Sequence, residues 1–202
     1  MADANEPLRP ATAWQDALEI GDFTATPIEG RTTLLLAVGP ASERDVRRVL
    51  ADRLGLDLPQ QCRAVTSAGV TLASIGPGKW LAIADAVEAV PSARRLADVL
   101  AGTLADLPAS LVDVSDGYAA LRLSGEATRD VLMRLVPVDV DRAAFSDGAV
   151  AATHMEHVGV ILIRTDAADG FELLAPRSFA VSLAGSIETA ARTVAASRRF
   201  AG

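Results

Sequence analysis

The sequence predicts an α+β protein made of two ferredoxin-like split βαβ halves, antiparallel sheets with helices packed on them. Three observations carry this prediction. Segments with two-residue apolar alternation trade places with segments of three- and four-residue spacing, in the order strand, helix, strand, strand, helix, strand. That order then recurs, and part of it recurs in letters. Finally, half of the 202 residues are apolar and 22% are charged, which supplies a core and excludes a disordered chain.

Residues 1–30 read as an N-terminal arm. Pro7, Pro10 and Pro27 interrupt it, and Trp14, Leu18 and Ile20 leave room for one helical turn. Its apolar side chains, Phe23 included, need a surface, either the chain's own second half or a large partner subunit.

Residues 31–112 form the first α+β half. Leu34 to Val38 is strand-like, and Gly39-Pro40 breaks it. Ser42 with Asp45 marks a helix start, Val46, Val49, Leu50 and Leu54 make its stripe, and Gly55 ends it. Val65 to Ile75 and Trp80 to Ala84 read as two strands joined by the turn Gly76-Pro77-Gly78. Pro91-Ser92 opens a second helix with Leu96, Val99, Leu100 and Leu104 on one face, and Leu111 to Val114 returns as a strand.

Residues 113–202 form the second half. A strand at Ala119 to Leu123, a helix through Val131, Leu132 and Leu135, strands near Val150 to Met155 and Val160 to Arg164, and a strand at Phe171 to Ala175 follow in turn. A closing helix runs from about Ser178 past Leu183, Ile187, Ala191 and Val194, with Arg198 and Arg199 at the negative end of its dipole. The segment Gly39 to Val46 resembles Ser124 to Val131, and Arg44 and Arg129 stand 85 positions apart (129 minus 44), as do Pro91 and Pro176 (176 minus 91). This spacing points to a duplication, with two independent βα units as the alternative.

The formal charge of -7, with basic and acidic residues interspersed, offers no face for nucleic acid. The one cysteine, Cys62, and a start at Met1 with neither a basic segment nor an apolar run lead to the expectation of a cytoplasmic chain. Apolar runs such as Thr33 to Val38 and Val158 to Ile163 fall short of a membrane span.

Four constellations could carry chemistry. Ser74 to Trp80 contains Gly78-Lys79, but a phosphate loop would need Gly at Ala73, Ser or Thr at Trp80, and an amide where Pro77 has none. Leu81 stands where a dinucleotide fingerprint needs its third Gly, so a hairpin turn is the simpler reading. His154 and His157 point to opposite faces if they share a strand, and no third metal ligand stands near them; they read as surface or turn histidines. Cys62, after Gln60-Gln61, reads as a buried or inert thiol ahead of a nucleophile. Asp113-Val114-Ser115-Asp116-Gly117 brackets a turn with two carboxylates; local turn bonding explains it, and a functional carboxylate at Asp113 or Asp116 is the rival. No serine sits in a Gly-x-Ser-x-Gly elbow. On this reading no residue is assigned a catalytic, cofactor-binding or metal-binding role.

Three blocks, Gly76 to Leu81, Leu111 to Gly125 and Phe171 to Ala180, resemble the gamma subunit family of bacterial heterotetrameric sarcosine oxidase. The resemblance is good from Trp80 to the C-terminus, weaker from Thr32 to Ile75, and absent from the arm. The family is similar in fold to the folate-binding domain of the glycine-cleavage aminomethyltransferase. The resemblance implies a non-catalytic structural subunit, with alpha, beta and delta subunits as partners. In such a complex sarcosine is oxidatively demethylated to glycine, its carbon passes to tetrahydrofolate, and hydrogen peroxide forms. The resemblance places FAD, FMN, NAD, tetrahydrofolate and zinc in the other subunits. One departure is that Ala184-Gly185-Ser186 follow Ser182-Leu183 where the family's closing helix often carries aromatic residues. The alternative is a free-standing folate-binding aminomethyltransferase-like protein, with a carboxylate such as Asp113 holding a ligand nitrogen. Small size and the lack of a Lys-Gly-Cys motif weigh against it.

Overall fold

The computed structural model describes residue 14 and residues 16–85, 92–165 and 170–201; Pro7, Pro10 and Pro91 lie outside the described residues. In chain order the strands are β1 (Leu18–Ile20), β2 (Phe23–Ile28), β3 (Thr32–Val38), β4 (Ala64–Ser67), β5 (Val70–Gly76), β6 (Lys79–Ala84), β7 (Ala109–Asp113), β8 (Tyr118–Ser124), β9 (Val150–Met155), β10 (Val158–Arg164) and β11 (Phe171–Pro176). The α-helices are α1 (Glu43–Leu54), α2 (Ser92–Leu104), α3 (Thr128–Leu135) and α4 (Ala180–Ala201).

They form two antiparallel sheets, one in the order β4-β5-β6-β3-β7 and one in the order β1-β2-β8-β11-β10-β9. Alternation along the strands sends each sheet's residues to two apolar layers. Leu34, Leu36, Leu72, Trp80 and Ala82 pack under Val46 and Leu50 of α1 and Leu100 and Leu104 of α2. Leu121, Leu123, Phe171, Leu173 and Leu162 pack under Val131 and Leu132 of α3 and Leu183, Ile187 and Val194 of α4. The opposite faces meet each other through Ala73, Leu81, Ile83, Ala120, Ile161, Ile163 and Leu174. The result is a four-layer arrangement, helices outside and two sheets face to face.

The two sheets share one plan. From the first strand of each half the order runs β3-β6-β5-β4 and β8-β11-β10-β9, and the place that β7 takes beside β3 is taken beside β8 by β2. The second half therefore has its outer strand supplied from the N-terminal segment. That segment is where the structure departs most from the expected helical turn: Phe23 and Ala25 are buried while Thr24 and Thr26 face the other way, a strand pattern. Pro27 hid it, yet Pro27 pairs opposite Leu121, and β1 reaches only Ala25, so among the described residues no strand lies on the far side to need the N–H that proline lacks. The β1–β2 turn is locked in place, because the Ala127 N–H donates to the Asp22 carbonyl at 3.1 Å and Arg198 on α4 lies 3.6 Å from the Asp22 carboxylate. Gly125 (φ +104°) makes that approach possible, since a Cβ there would lie 2.1 Å from the Asp22 oxygen.

Two smaller departures concern the first half. The stretch read as one strand from Val65 to Ile75 is a hairpin, β4 and β5, turning at Ala68 and Gly69 with φ of 50° and 77°. Val99 is 41% exposed, not on the buried stripe of α2. On α1, Gly55 takes the expected left-handed cap and returns its N–H to Ala51, while the Ser42 side chain makes no cap bond and Asp45 pairs with Arg48 instead. The closing helix packs through Ala180, Leu183, Ile187, Ala191 and Val194, small and medium side chains.

Candidate functional site

Where β2 ends at Ile28, the chain leaves one sheet for the other through Glu29, Gly30 and Arg31, and a cleft of about 370 Å³ opens at this crossing. Ile28, Ala120 and Leu174 give it an apolar floor; Glu29, Arg31, Thr33, Ser115, Asp116, Tyr118 and Arg177 give it polar walls.

The turn from Asp113 to Gly117 forms one wall. The Asp113 carboxylate accepts from the Ser115 N–H at 2.9 Å and from the Ser115 hydroxyl at 2.6 Å, and the Ser115 oxygen accepts the Thr33 N–H at 2.9 Å. The Val114 N–H donates to the Thr33 carbonyl at 2.9 Å, so the turn is pinned to β3 by two bonds. This is the local side-chain bonding that Asp and Ser make in turns. Asp116 lines the cleft and its carbonyl accepts from Arg177 Nε at 3.0 Å. A serine held directly by a carboxylate is not the proton relay of a hydrolase, which needs an imidazole between them.

Arg31 forms the other wall, and sequence reasoning did not find it. Its side chain is 7% exposed and reaches Asp85 at the end of β6 (2.6 Å) and Glu172 on β11 (2.7 Å), so one guanidinium ties the two sheets together. Arg122 on β8 completes the group, 3.2 Å from Glu172 and 3.7 Å from Asp85. Burial lowers the guanidinium's pKa, but the hydrogen bonds and charges of Glu172 and Asp85 more than reverse this and hold it above its ordinary value. The cluster carries two positive and two negative charges, satisfied among themselves. The only sequence signal was a lone Arg after Gly30 at a half boundary; its partners lie 54 and 141 residues away.

The other sequence candidates stand outside the cleft. Pro77-Gly78 is a hairpin turn in which the Gly78 (φ +67°) carbonyl accepts from the Val38 N–H at 2.9 Å, and a Cβ there would meet the Val38 oxygen at 2.5 Å. Lys79 beside it is exposed, whereas Trp80 is buried and donates Nε1–H to the Pro59 carbonyl at 3.0 Å. His154 is exposed on β9 and His157 lies in the β9–β10 turn; among the described residues no three metal-ligating side chains gather. Cys62 is exposed and not buried; the backbone there turns through φ 60° and its carbonyl accepts from the Val150 N–H at 2.9 Å. Among the described residues no helix is long and apolar enough to cross a membrane.

This architecture has known counterparts. A chain of the heterotetrameric sarcosine oxidase from Corynebacterium sp. U-96, in complex with pyrrole 2-carboxylate, superposes with a TM-score of 0.75 at 24% identity, over 86% of this chain and 85% of that one. The glycine cleavage system aminomethyltransferase T from Bartonella henselae superposes at 0.63 and 16% identity, over 86% of this chain and 50% of that one. At these identities the likeness shows the fold. In sequence, the sarcosine oxidase subunit gamma of Arthrobacter sp. is 35% identical over 132 residues, 64% of this chain and 61% of that protein. That of Corynebacterium sp. strain P-1 is 34% identical over 118 residues, 57% of this chain and 55% of that protein. The matches thus span little more than half the length of these relatives. A family model for the gamma subunit of sarcosine oxidase matches residues 38–191, from the last residue of β3 to within α4 and including the turn at Asp113. Fold, sequence and extent of match agree, and the chain belongs to the sarcosine oxidase gamma subunit family.

Proposed function

We propose that this chain is a non-catalytic, structural subunit of a cytoplasmic heterotetrameric sarcosine oxidase that demethylates sarcosine oxidatively to glycine, passes the carbon to tetrahydrofolate and releases hydrogen peroxide. Alpha, beta and delta subunits are its partners, and FAD, FMN, NAD, tetrahydrofolate and zinc belong to them. The observation that carries the reading is the match of residues 38–191 to the gamma subunit family. Two of the cleft's polar side chains support it by being engaged in holding the fold, Ser115 with Asp113 in a turn and Arg31 with Glu172 and Asp85 in a bridge between sheets. We also read residues 31–112 and 113–202 as two duplicated units, the second completed by the arm at 1–30; the common strand order of the sheets supports this.

The test is purification of the chain alone and coexpressed with the other subunits of the sarcosine oxidase of its own organism. The chain alone should be colourless, retain no zinc, and show no saturable binding of tetrahydrofolate. In coexpression it should copurify at fixed stoichiometry with the flavin-bearing subunits. Tight tetrahydrofolate binding by the isolated chain would favour the free-standing aminomethyltransferase-like reading instead.

A further inference from the structure

We propose that the open edge of β7 is a docking site for an extended strand of a partner subunit, flanked by basic residues and running antiparallel to β7. The inference rests on the subunit reading above and adds where one partner binds.

Among the described residues β7 bonds only to β3, and no strand pairs with its other edge. The phase of its hydrogen bonds follows from the Val114 N–H to Thr33 carbonyl bond, which puts Val112 opposite Leu35 and Ser110 opposite Ala37 at the bonded positions. Leu111 and Asp113 therefore turn their N–H and C=O groups away from the sheet. Edge strands are ordinarily guarded by lysine, proline or a bulge. This one has none: its sequence is Ala-Ser-Leu-Val-Asp, its register with β3 is unbroken, and Val112 is 49% exposed with Ser110 exposed beside it.

The second sheet shows what such an edge accepts. There β2 holds the position equivalent to β7, and beyond β2 lies one further antiparallel strand, β1, only three residues long. Beyond β7 the equivalent position is empty among the described residues. Charge selects the occupant: between Leu104 and Leu121 the sequence carries Asp106, Asp113 and Asp116 and no Lys, Arg or His. Asp106 and Asp113 are both exposed and bracket the edge, so a strand with basic residues at its ends is complementary.

Hydrogen–deuterium exchange on the chain alone and in the coexpressed complex tests this. The Leu111 and Asp113 amides should exchange quickly in the isolated chain and slow by about tenfold or more on assembly. Leu111→Pro removes an outward N–H while leaving the bonds to β3 intact, and should weaken assembly about tenfold with the melting transition of the isolated chain retained. Leu111→Ala, which keeps the N–H, should assemble like the wild type. A complex in which both amides stay unprotected overturns the docking site while leaving the subunit reading standing. A chain that never assembles removes both. Protection acquired by the isolated chain as it dimerises would assign the edge to a second copy and overturn the partner strand.

Discussion

Arg31 joins the two sheets through Asp85 and Glu172. Replacing it with Met leaves Glu172, 13% exposed, without its closest counter-charge. The expected loss is about 3 kcal/mol in urea denaturation, partly softened by Arg122. Adding Glu172→Leu should recover most of it, since an apolar pair of similar volume costs less than one stranded charge. If the double variant is no better than the single, the bridge is not what Arg31 supplies. At the β5–β6 hairpin the contrast is sharper. Lys79→Ala should change neither stability nor the activity of a complex, because Lys79 is exposed, whereas Trp80→Ala should cost about 3–5 kcal/mol by emptying a buried site. The hairpin was legible because Gly and Pro announce a turn within a few residues. Arg31 was not, because nothing local marks a residue whose partners are brought by the meeting of two sheets.

Among elements, the N-terminal strands separate expectation from structure. An arm that only reached a partner would be dispensable to the isolated chain, but β2 contributes Phe23 and Ala25 to the core under α3 and α4. Deleting residues 1–28 should therefore unfold or strongly destabilise the second half, seen as loss of the cooperative thermal transition. A truncated chain that melts like the full one would contradict the placement of β2. Gly125→Ala tests the same junction by one methyl group. Its Cβ would overlap the Asp22 carbonyl and its φ of +104° is foreign to alanine, so a loss of several degrees in Tm is expected. The helices were readable from their spacing, and so were the long strands. The strands that were missed failed for identifiable reasons: β1 is only three residues long, β2 contains Pro27, and β4 and β5 merge into one apparent run because Ala68 adopts the left-handed turn that glycine usually signals.

At the scale of the whole molecule, the sequence disclosed two α+β halves and a family resemblance, and comparison bears out both the α+β class and the family. The stacking of the sheets face to face was not disclosed. Alternating strands announce that one face is buried under helices, but Leu35, Ala73, Ile83, Ile161 and Ile163 bury the other face as well, and only the assembled chain shows against what. The cleft at the crossing follows from the same stacking. Ser115 and Arg31 in its walls are engaged in holding the fold, in keeping with the proposed structural role. The most direct test is sarcosine-dependent peroxide production by the coexpressed complex with and without this chain, with flavin and folate located in the separated subunits. Activity should need the chain, at one copy per complex, and no cofactor should stay with it; a purified chain that binds tetrahydrofolate or flavin stoichiometrically, or a fully active complex lacking it, would overturn the structural-subunit reading.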